Sequence, residues 1–302
     1  MCGIVGLFAK SPEIEQSLGA HLSAMLAQMN DRGPDSAGVA VYRDPAPAGA
    51  GKLTLFSADP LQDWDGLADE LGNAFGGTPE ASVRSSHAVL VVDGDPGEIQ
   101  SWVERAHPEL RVMSAGRTIE IYKETGRPDE FVGRFALGDI SGTHALGHTR
   151  MATESRVTTE GSHPFSTGLD LCLVHNGSLS NHNRLRERLR REGIGFRTEN
   201  DTEVAAGYLA CRLDEGASLD EALGGCLDDL DGFYTFLVGT ADGFAVLRDP
   251  IACKPAVLAE TENWVAMASE WRAVSVLPGA ADARSWEPAP GVVYAWEHAA
   301  VP

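Results

Sequence analysis

Basic residues are scarce in this chain. Its 302 residues hold 24 Lys and Arg against 44 Asp and Glu, a formal net charge of −20. Affinity for a phosphate backbone comes from clustered Lys and Arg, so nucleic-acid binding is not expected. Cysteines are few and scattered, at Cys2, Cys172, Cys211, Cys226 and Cys253, and no CxxC pair occurs. That pattern suggests no zinc ribbon, thioredoxin-like redox site or disulfide framework. No apolar run reaches the roughly 18 residues of a membrane span, and Met1 to Ala9 lacks the basic lead-in of a signal peptide. Repeats and low-complexity tracts are also missing. These absences predict a reduced cytoplasmic protein without a membrane partner, long enough to bury a core unaided.

What is present is an alternation of short apolar runs and amphipathic stretches. Gly3 to Phe8 reads as a buried strand, followed by a helix with Ser11 as cap, Pro12 at its first position and apolar residues from Ile14 to Met29 at helical spacing. Gly38 to Tyr42 resumes as strand. From about Lys52 to Ile140 the pattern changes: strand 86–92, a capped helix from Asp95, then strands 111–113 and 117–122 suggest an inserted small α/β segment. In the second half Leu171 to Val174 reads as strand and Ser180 as a helix cap. Asp201 precedes or caps the next helix, and Ser218 with Glu221 forms a capping box. Phe233 to Val238 and Phe244 to Leu247 suggest a hairpin, and 264–268 and 292–296 further strands. Antiparallel runs with segregated helices predict an α+β fold rather than a doubly wound parallel sheet.

Chemistry is concentrated in a few places. Removing Met1 would leave Cys2 with a free α-amine. Such an amine titrates near 7.7–8.0 and can serve as general base to the adjacent thiol at neutral pH. Arg150 offers a planar fork for a carboxylate, and Thr153 a hydroxyl for the same group. Asn176 and Gly177 end a buried strand, where an amide and a neighbouring N–H can cradle an oxyanion; Asn-Gly is equally a turn signal, and both readings hold together. Asp201 is suited to capping a helix or to binding an ammonium group. The histidines at 148, 163, 175 and 182 share no helical face, so no metal site is expected. Together these groups describe a grip on a free α-amino acid whose side-chain carbonyl is attacked.

In order along the chain, MCGIVG (1–6), RGPDSAG (32–38), HTRMAT (148–153), HNGSLSN (175–181) and NDTE (200–203) resemble the class II glutamine amidotransferases. This N-terminal-nucleophile family includes glutamate synthase and glucosamine-phosphate synthase. The resemblance implies a four-layer αββα sandwich of two antiparallel sheets over residues 2–302, with the insert at about 52–140. It also implies Cys2 as nucleophile, Asn176 and Gly177 as oxyanion hole, Arg150 and Thr153 on the glutamine carboxylate, and Asp201 on its ammonium group. Arg32 to Gly38 is expected to support the nucleophile strand.

The stretches HTRMATES, HPFSTG, CLVHNGSLSNHN and LRDPIACKPAV are similar to the stand-alone glutamate synthase-like subunit of the N-methylglutamate synthase A type. That likeness implies a cytoplasmic hetero-oligomer in which this chain has no cofactor of its own. Glutamate synthase-like partner subunits would carry FMN and, as a further candidate, an iron–sulfur cluster. With 302 residues there is no room for a fused acceptor domain, so ammonia would go to a partner subunit or simply be released. Two other expectations on the same fold are a stand-alone γ-glutamyl amide hydrolase and a catalytically silent regulatory or scaffold subunit. A docking role for the insert is one expectation, a passive stabilising elaboration the other.

Overall fold

The computed structural model describes residues 2–151 and 157–298. The first third of the chain contains β1 (Gly3–Ala9), α1 (Pro12–Gln16), α2 (Leu18–Ala27), β2 (Ser36–Tyr42), β3 (Ala50–Phe56), α3 (Trp64–Phe75), β4 (Ala81–Arg84) and β5 (His87–Asp93). Next come α4 (Pro96–Ala106), β6 (Arg111–Gly116), β7 (Ile119–Thr125), α5 (Pro128–Arg134), β8 (His144–Arg150), β9 (Phe165–Gly168) and β10 (Leu171–Leu179). The remainder is α6 (His182–Arg191), α7 (Asp201–Asp214), α8 (Leu219–Asp229), β11 (Gly232–Gly239), β12 (Gly243–Arg248), β13 (Val257–Glu260), β14 (Trp264–Ala268), α9 (Trp271–Val274), β15 (Arg284–Trp286) and β16 (Val293–Glu297).

Two large sheets form the middle of the molecule. One runs β15-β13-β14-β1-β8-β2-β7 and the other β16-β12-β11-β10-β9. Neighbouring strands in both are antiparallel. Side chains alternate across each strand, and both faces are covered, so the strands read as continuous apolar runs. In β1, Val5, Leu7 and Ala9 face a helical layer that includes Leu18, Leu22, Met25 and Leu26. Ile4 and Phe8 point the other way and meet Val174, Leu237 and Phe244 of the second sheet. In β10, Leu171 and Leu173 pack under Val204, Leu209 and Leu223 of the second helical layer. The order of layers is therefore helix, sheet, sheet, helix, the α+β sandwich expected. A Cβ on Gly6 would lie 2.6 Å from Leu237 Cδ2, so glycine is what lets the sheets approach there.

Several boundaries differ from the sequence reading. The first helix is two, divided at Ser17, because Gly19 is pressed against the 137–140 segment and gives its N–H to the Ile140 carbonyl at 2.8 Å. Ser11 occupies the cap position without a side-chain cap bond. Asn181, not Ser180, stands at the start of α6; Ser180 Oγ donates instead to the Asp231 carbonyl at 3.1 Å. The capping box of Ser218 and Glu221 forms as expected, and Asp95 caps α4 through the N–H groups of Gly97 and Glu98.

The separate small sheet has the order β4-β5-β3-β6, with its own core of Leu53, Leu67, Leu71, Leu90, Ile99 and Val103. It spans 50–116 and includes β3 and α3, which the sequence pattern did not reveal. The strand after it, β7, belongs to the first large sheet, where Val39 pairs with Tyr122. Ile119 and Ile121 of β7 are buried between the large sheets while Tyr122 faces the helices, so that strand has two apolar faces to cover. The residues with a sheet of their own are thus fewer than the 52–140 expected.

Candidate active site

Period-two alternation brings the polar groups together. Leu146 in β8 faces the space between the sheets, and so, in the same phase, do His148 and Arg150. Cys172 and Val174 in β10 set the phase that turns Asn176 toward the first sheet. Val265 and Met267 in β14 do the same for Ser269, which follows the strand. Cys2 continues the phase of Ile4. Four strands therefore end with Cys2, Arg150, Asn176 and Ser269 at one rim of the sheet–sheet interface.

Cys2 is held by its own carbonyl, which accepts from Arg32 Nε at 3.0 Å and Asn176 Nδ2 at 3.3 Å. Its Sγ is partly exposed and lies 3.8 Å from the Met151 carbonyl. Arg32 is anchored in turn by an ion pair with Glu270, which also pairs with Arg272 at 2.7 Å. The Arg32 and Arg272 guanidinium groups hold the Glu270 carboxyl below its ordinary range. Asn176 Nδ2 also reaches Ser269 Oγ at 3.0 Å, and that oxygen accepts the Ile4 N–H at 2.9 Å. Gly177 follows with φ +149°; a Cβ there would stand 1.9 Å from the Phe233 carbonyl oxygen, which excludes any side chain.

The two expected substrate grips flank this group. Arg150 is buried, and its Nη1 donates to the Gly161 carbonyl at 3.3 Å. Asn200 Nδ2 donates to the same carbonyl at 3.4 Å. Asn200, not Asp201, caps α7: its Oδ1 accepts the Thr202 N–H at 2.9 Å. Asp201 is the first helical residue, so its carboxylate is spared from capping and reaches the Leu179 N–H at 2.9 Å. Thr153, the second member of the expected carboxylate grip, lies outside the described residues.

Behind these groups sit three buried imidazoles. His148 Nε2 donates to the His175 carbonyl at 3.2 Å, and the His148 and His163 rings are 4.0 Å apart. Burial drives His148 down to about 3, so it is neutral at physiological pH; burial also lowers His163 and His175. Among the described residues no group of three or more His, Cys, Asp and Glu is arranged to hold a metal ion. None of their helices is long and apolar enough to cross a membrane. Sequence reasoning named Cys2, Arg150, Asn176, Gly177 and Asp201 but not Ser269 or Thr202, although Thr202 stands in NDTE, a stretch it had singled out.

The sandwich with a cysteine at the head of its central strand is the architecture of N-terminal-nucleophile amidotransferases. Its fold is shared with the glutamine phosphoribosylpyrophosphate amidotransferase from B. subtilis complexed with ADP and GMP, at TM-score 0.63 and 20% identity, over 98% of this chain and 47% of that one. A family model described as "Glutamine amidotransferase domain" matches residues 148–276. The glutamine amidotransferase-like protein GlxB of Rhizobium meliloti is 54% identical over 300 residues, 99% of each chain. An amidophosphoribosyltransferase of Synechocystis is 34% identical over 171 residues, 54% of this chain and 34% of that protein. The chain belongs to the class II glutamine amidotransferase family.

Proposed function

We propose that this chain is the glutaminase component of a heteromeric amidotransferase, with Cys2 as its nucleophile. The observation that carries the reading is the 3.3 Å contact between Asn176 Nδ2 and the Cys2 carbonyl, which sets an amide donor of one sheet beside the nucleophile residue of the other. Once Met1 is removed, the Cys2 α-amine takes the thiol proton and the thiolate attacks the glutamine side-chain carbonyl. A C–S bond forms and the carbonyl oxygen becomes an oxyanion within reach of Asn176 Nδ2 and the Gly177 N–H. As the intermediate collapses the C–N bond breaks, and the leaving nitrogen receives the proton held by the α-amine and departs as ammonia. Water, deprotonated by the same amine, then adds to the thioester; the C–S bond breaks and glutamate leaves. Arg150 and Thr153 would hold the α-carboxylate, Asp201 the α-ammonium group.

Ammonia would pass to a glutamate synthase-like partner, with N-methylglutamate synthase as the specific assembly and FMN on the partner. The likeness to GlxB, over 99% of each chain, supports this reading.

Intact mass before and after treatment with a glutamine-like diazo-ketone tests it. Loss of Met1 and a single adduct that vanishes in Cys2→Ala is the expected result. Retention of Met1, or no adduct even with partner subunits present, would leave the chain as a silent scaffold. Equal turnover of larger γ-glutamyl amides would point to a stand-alone hydrolase.

A further inference from the structure

Thr202 is fully buried in the first turn of α7, and its hydroxyl lies between two imidazoles. His163 Nε2 is 2.7 Å from Thr202 Oγ1 and His175 Nδ1 is 3.0 Å from it. Asp201 Oδ1 is 3.5 Å from the same oxygen. Each neighbour belongs to a different limb of the site. His175 immediately precedes Asn176. His163 lies two residues beyond Gly161, whose carbonyl receives both Arg150 Nη1 and Asn200 Nδ2. Asp201 is the adjoining residue.

We infer that Thr202 is a positioning residue, whose hydroxyl fixes the oxyanion donor and the carboxylate grip relative to one another, next to the ammonium grip of Asp201. The inference rests on the glutaminase reading above. A hydroxyl has one proton to give and two lone pairs to receive with, so it can serve both imidazoles if one donates and the other accepts. Both rings are neutral, because burial disfavours their charged forms. The Asp201 carboxylate, with Oδ1 3.8 Å from His175 Nδ1, favours a proton on that nitrogen. The chain therefore runs from His175 Nδ1–H to Thr202 Oγ1, and from the Thr202 hydroxyl to His163 Nε2. It has a direction, and both bonds pass through one oxygen. The remaining ring nitrogens, His163 Nδ1 and His175 Nε2, are buried and have no partner among the described residues, where Thr202 supplies the hydrogen bond each of these rings makes through its nitrogens.

Valine is nearly isosteric with threonine but lacks the hydroxyl; serine keeps it. Thr202→Val is expected to lower kcat/KM for glutamine at least 30-fold, through both a lower kcat and a higher KM, because the oxyanion donor and the carboxylate grip lose their common reference. Thr202→Ser is expected to stay within threefold of wild type. A folded Thr202→Val with kcat/KM within threefold of wild type would overturn the inference, and so would Thr202→Ser as impaired as Thr202→Val. A purely structural role would lower the thermal midpoint and leave kcat and KM in place. Should Thr202→Val not fold, imidazole 15N spectra of Cys2→Ala decide: protons on Nδ1 of both His175 and His163 are expected, and the opposite tautomers would overturn the relay. Those spectra need no turnover. A wild-type chain that fails to take the diazo-ketone would sink the glutaminase reading while leaving the relay measurable.

Discussion

The side-chain amide of Asn176 rests on Ser269: Nδ2 lies 3.0 Å from Ser269 Oγ, an oxygen that also accepts the Ile4 N–H at 2.9 Å. This contact fixes which way the amide faces. The Cys2 carbonyl beside it accepts hydrogen bonds and never donates, so the nitrogen of Asn176 must point toward Cys2 and the oxygen away. Ser269 thus holds the donor that an oxyanion would need, at a cost met before the reaction begins.

Asn176→Ala is expected to lower kcat by about 10²–10³, the loss seen when one oxyanion donor is removed, with KM for glutamine changed far less. Ser269→Ala leaves the donor in place but free to turn, so its loss in kcat should be smaller than that of Asn176→Ala. Steady-state glutamate release measures both. An unchanged kcat in Asn176→Ala would remove it from the oxyanion hole.

Gly177→Ala should be more damaging than a methyl group suggests. The new Cβ would meet the Phe233 carbonyl oxygen at 1.9 Å and crowd His175 Nε2 at 2.7 Å, on a backbone with φ +149°. Strain of this type costs about 1–3 kcal/mol, and β10 must move away from β11 to relieve it. A lower denaturation midpoint together with near-complete loss of turnover is expected; wild-type behaviour in both would show that the turn does not constrain the site.

Most of the candidate rim was legible in the sequence because its residues lie next to local signals: a cysteine beside Met1, an Asn-Gly at the end of an apolar run, an acidic residue at a helix start. Ser269 and Thr202 were not assigned roles, since their partners are 93 and 27 to 39 positions away and meet them across sheets or layers. The same non-locality hid the sheet to which β7 belongs. An apolar run shows that a strand is buried on both faces without saying which sheet it enters, and β7 pairs with β2 rather than with the small sheet that precedes it. Local caps did better: Asp95, Ser218 and Glu221 are satisfied within three residues of themselves. Asn200 took the capping role considered for Asp201 because one position earlier its side chain reaches the Thr202 N–H.

Two kinds of ion pair join the small sheet to the rest, and they should differ in worth. Lys52 of β3 and Glu120 of β7 are both buried and 3.1 Å apart, and Glu120 also accepts from Tyr122 Oη at 2.8 Å. Lys52→Met leaves the buried carboxylate with only the Tyr122 hydroxyl and the more distant Arg43 Nε at 3.9 Å, and is expected to cost about 3 kcal/mol, much of it recovered in the double variant with Glu120→Gln. Glu104, which pairs with Arg197 in a partly exposed position, should cost less than about 1 kcal/mol when changed to Gln. Urea midpoints of the three variants check the ranking, and equal losses in Lys52→Met and Glu104→Gln would contradict it.

His87 gives the fold an acid sensitivity away from the active-site rim. Its ring is fully buried among Phe56, Tyr122 and Phe135, and Nε2 has no hydrogen-bond partner among the described residues. Burial, aided by the Lys123 charge, pushes it down to about 3. The unfolded chain binds this proton near pH 6.5 and the folded chain only near 3, so its stability contribution is complete above about 6.5 and falls as pH drops toward 3. Across that window each such histidine adds about 1.4 kcal/mol per pH unit to the slope. His144 and His148, both also pushed down to about 3, contribute in the same direction. His87→Phe keeps an aromatic ring in the cluster and removes the titration. It should lower the slope of unfolding free energy between pH 6 and pH 4 by about one proton's worth, while the stability at pH 7 changes little. Urea titrations at several pH values measure this directly, and an unaltered slope would mean that His87 takes up no extra proton on unfolding.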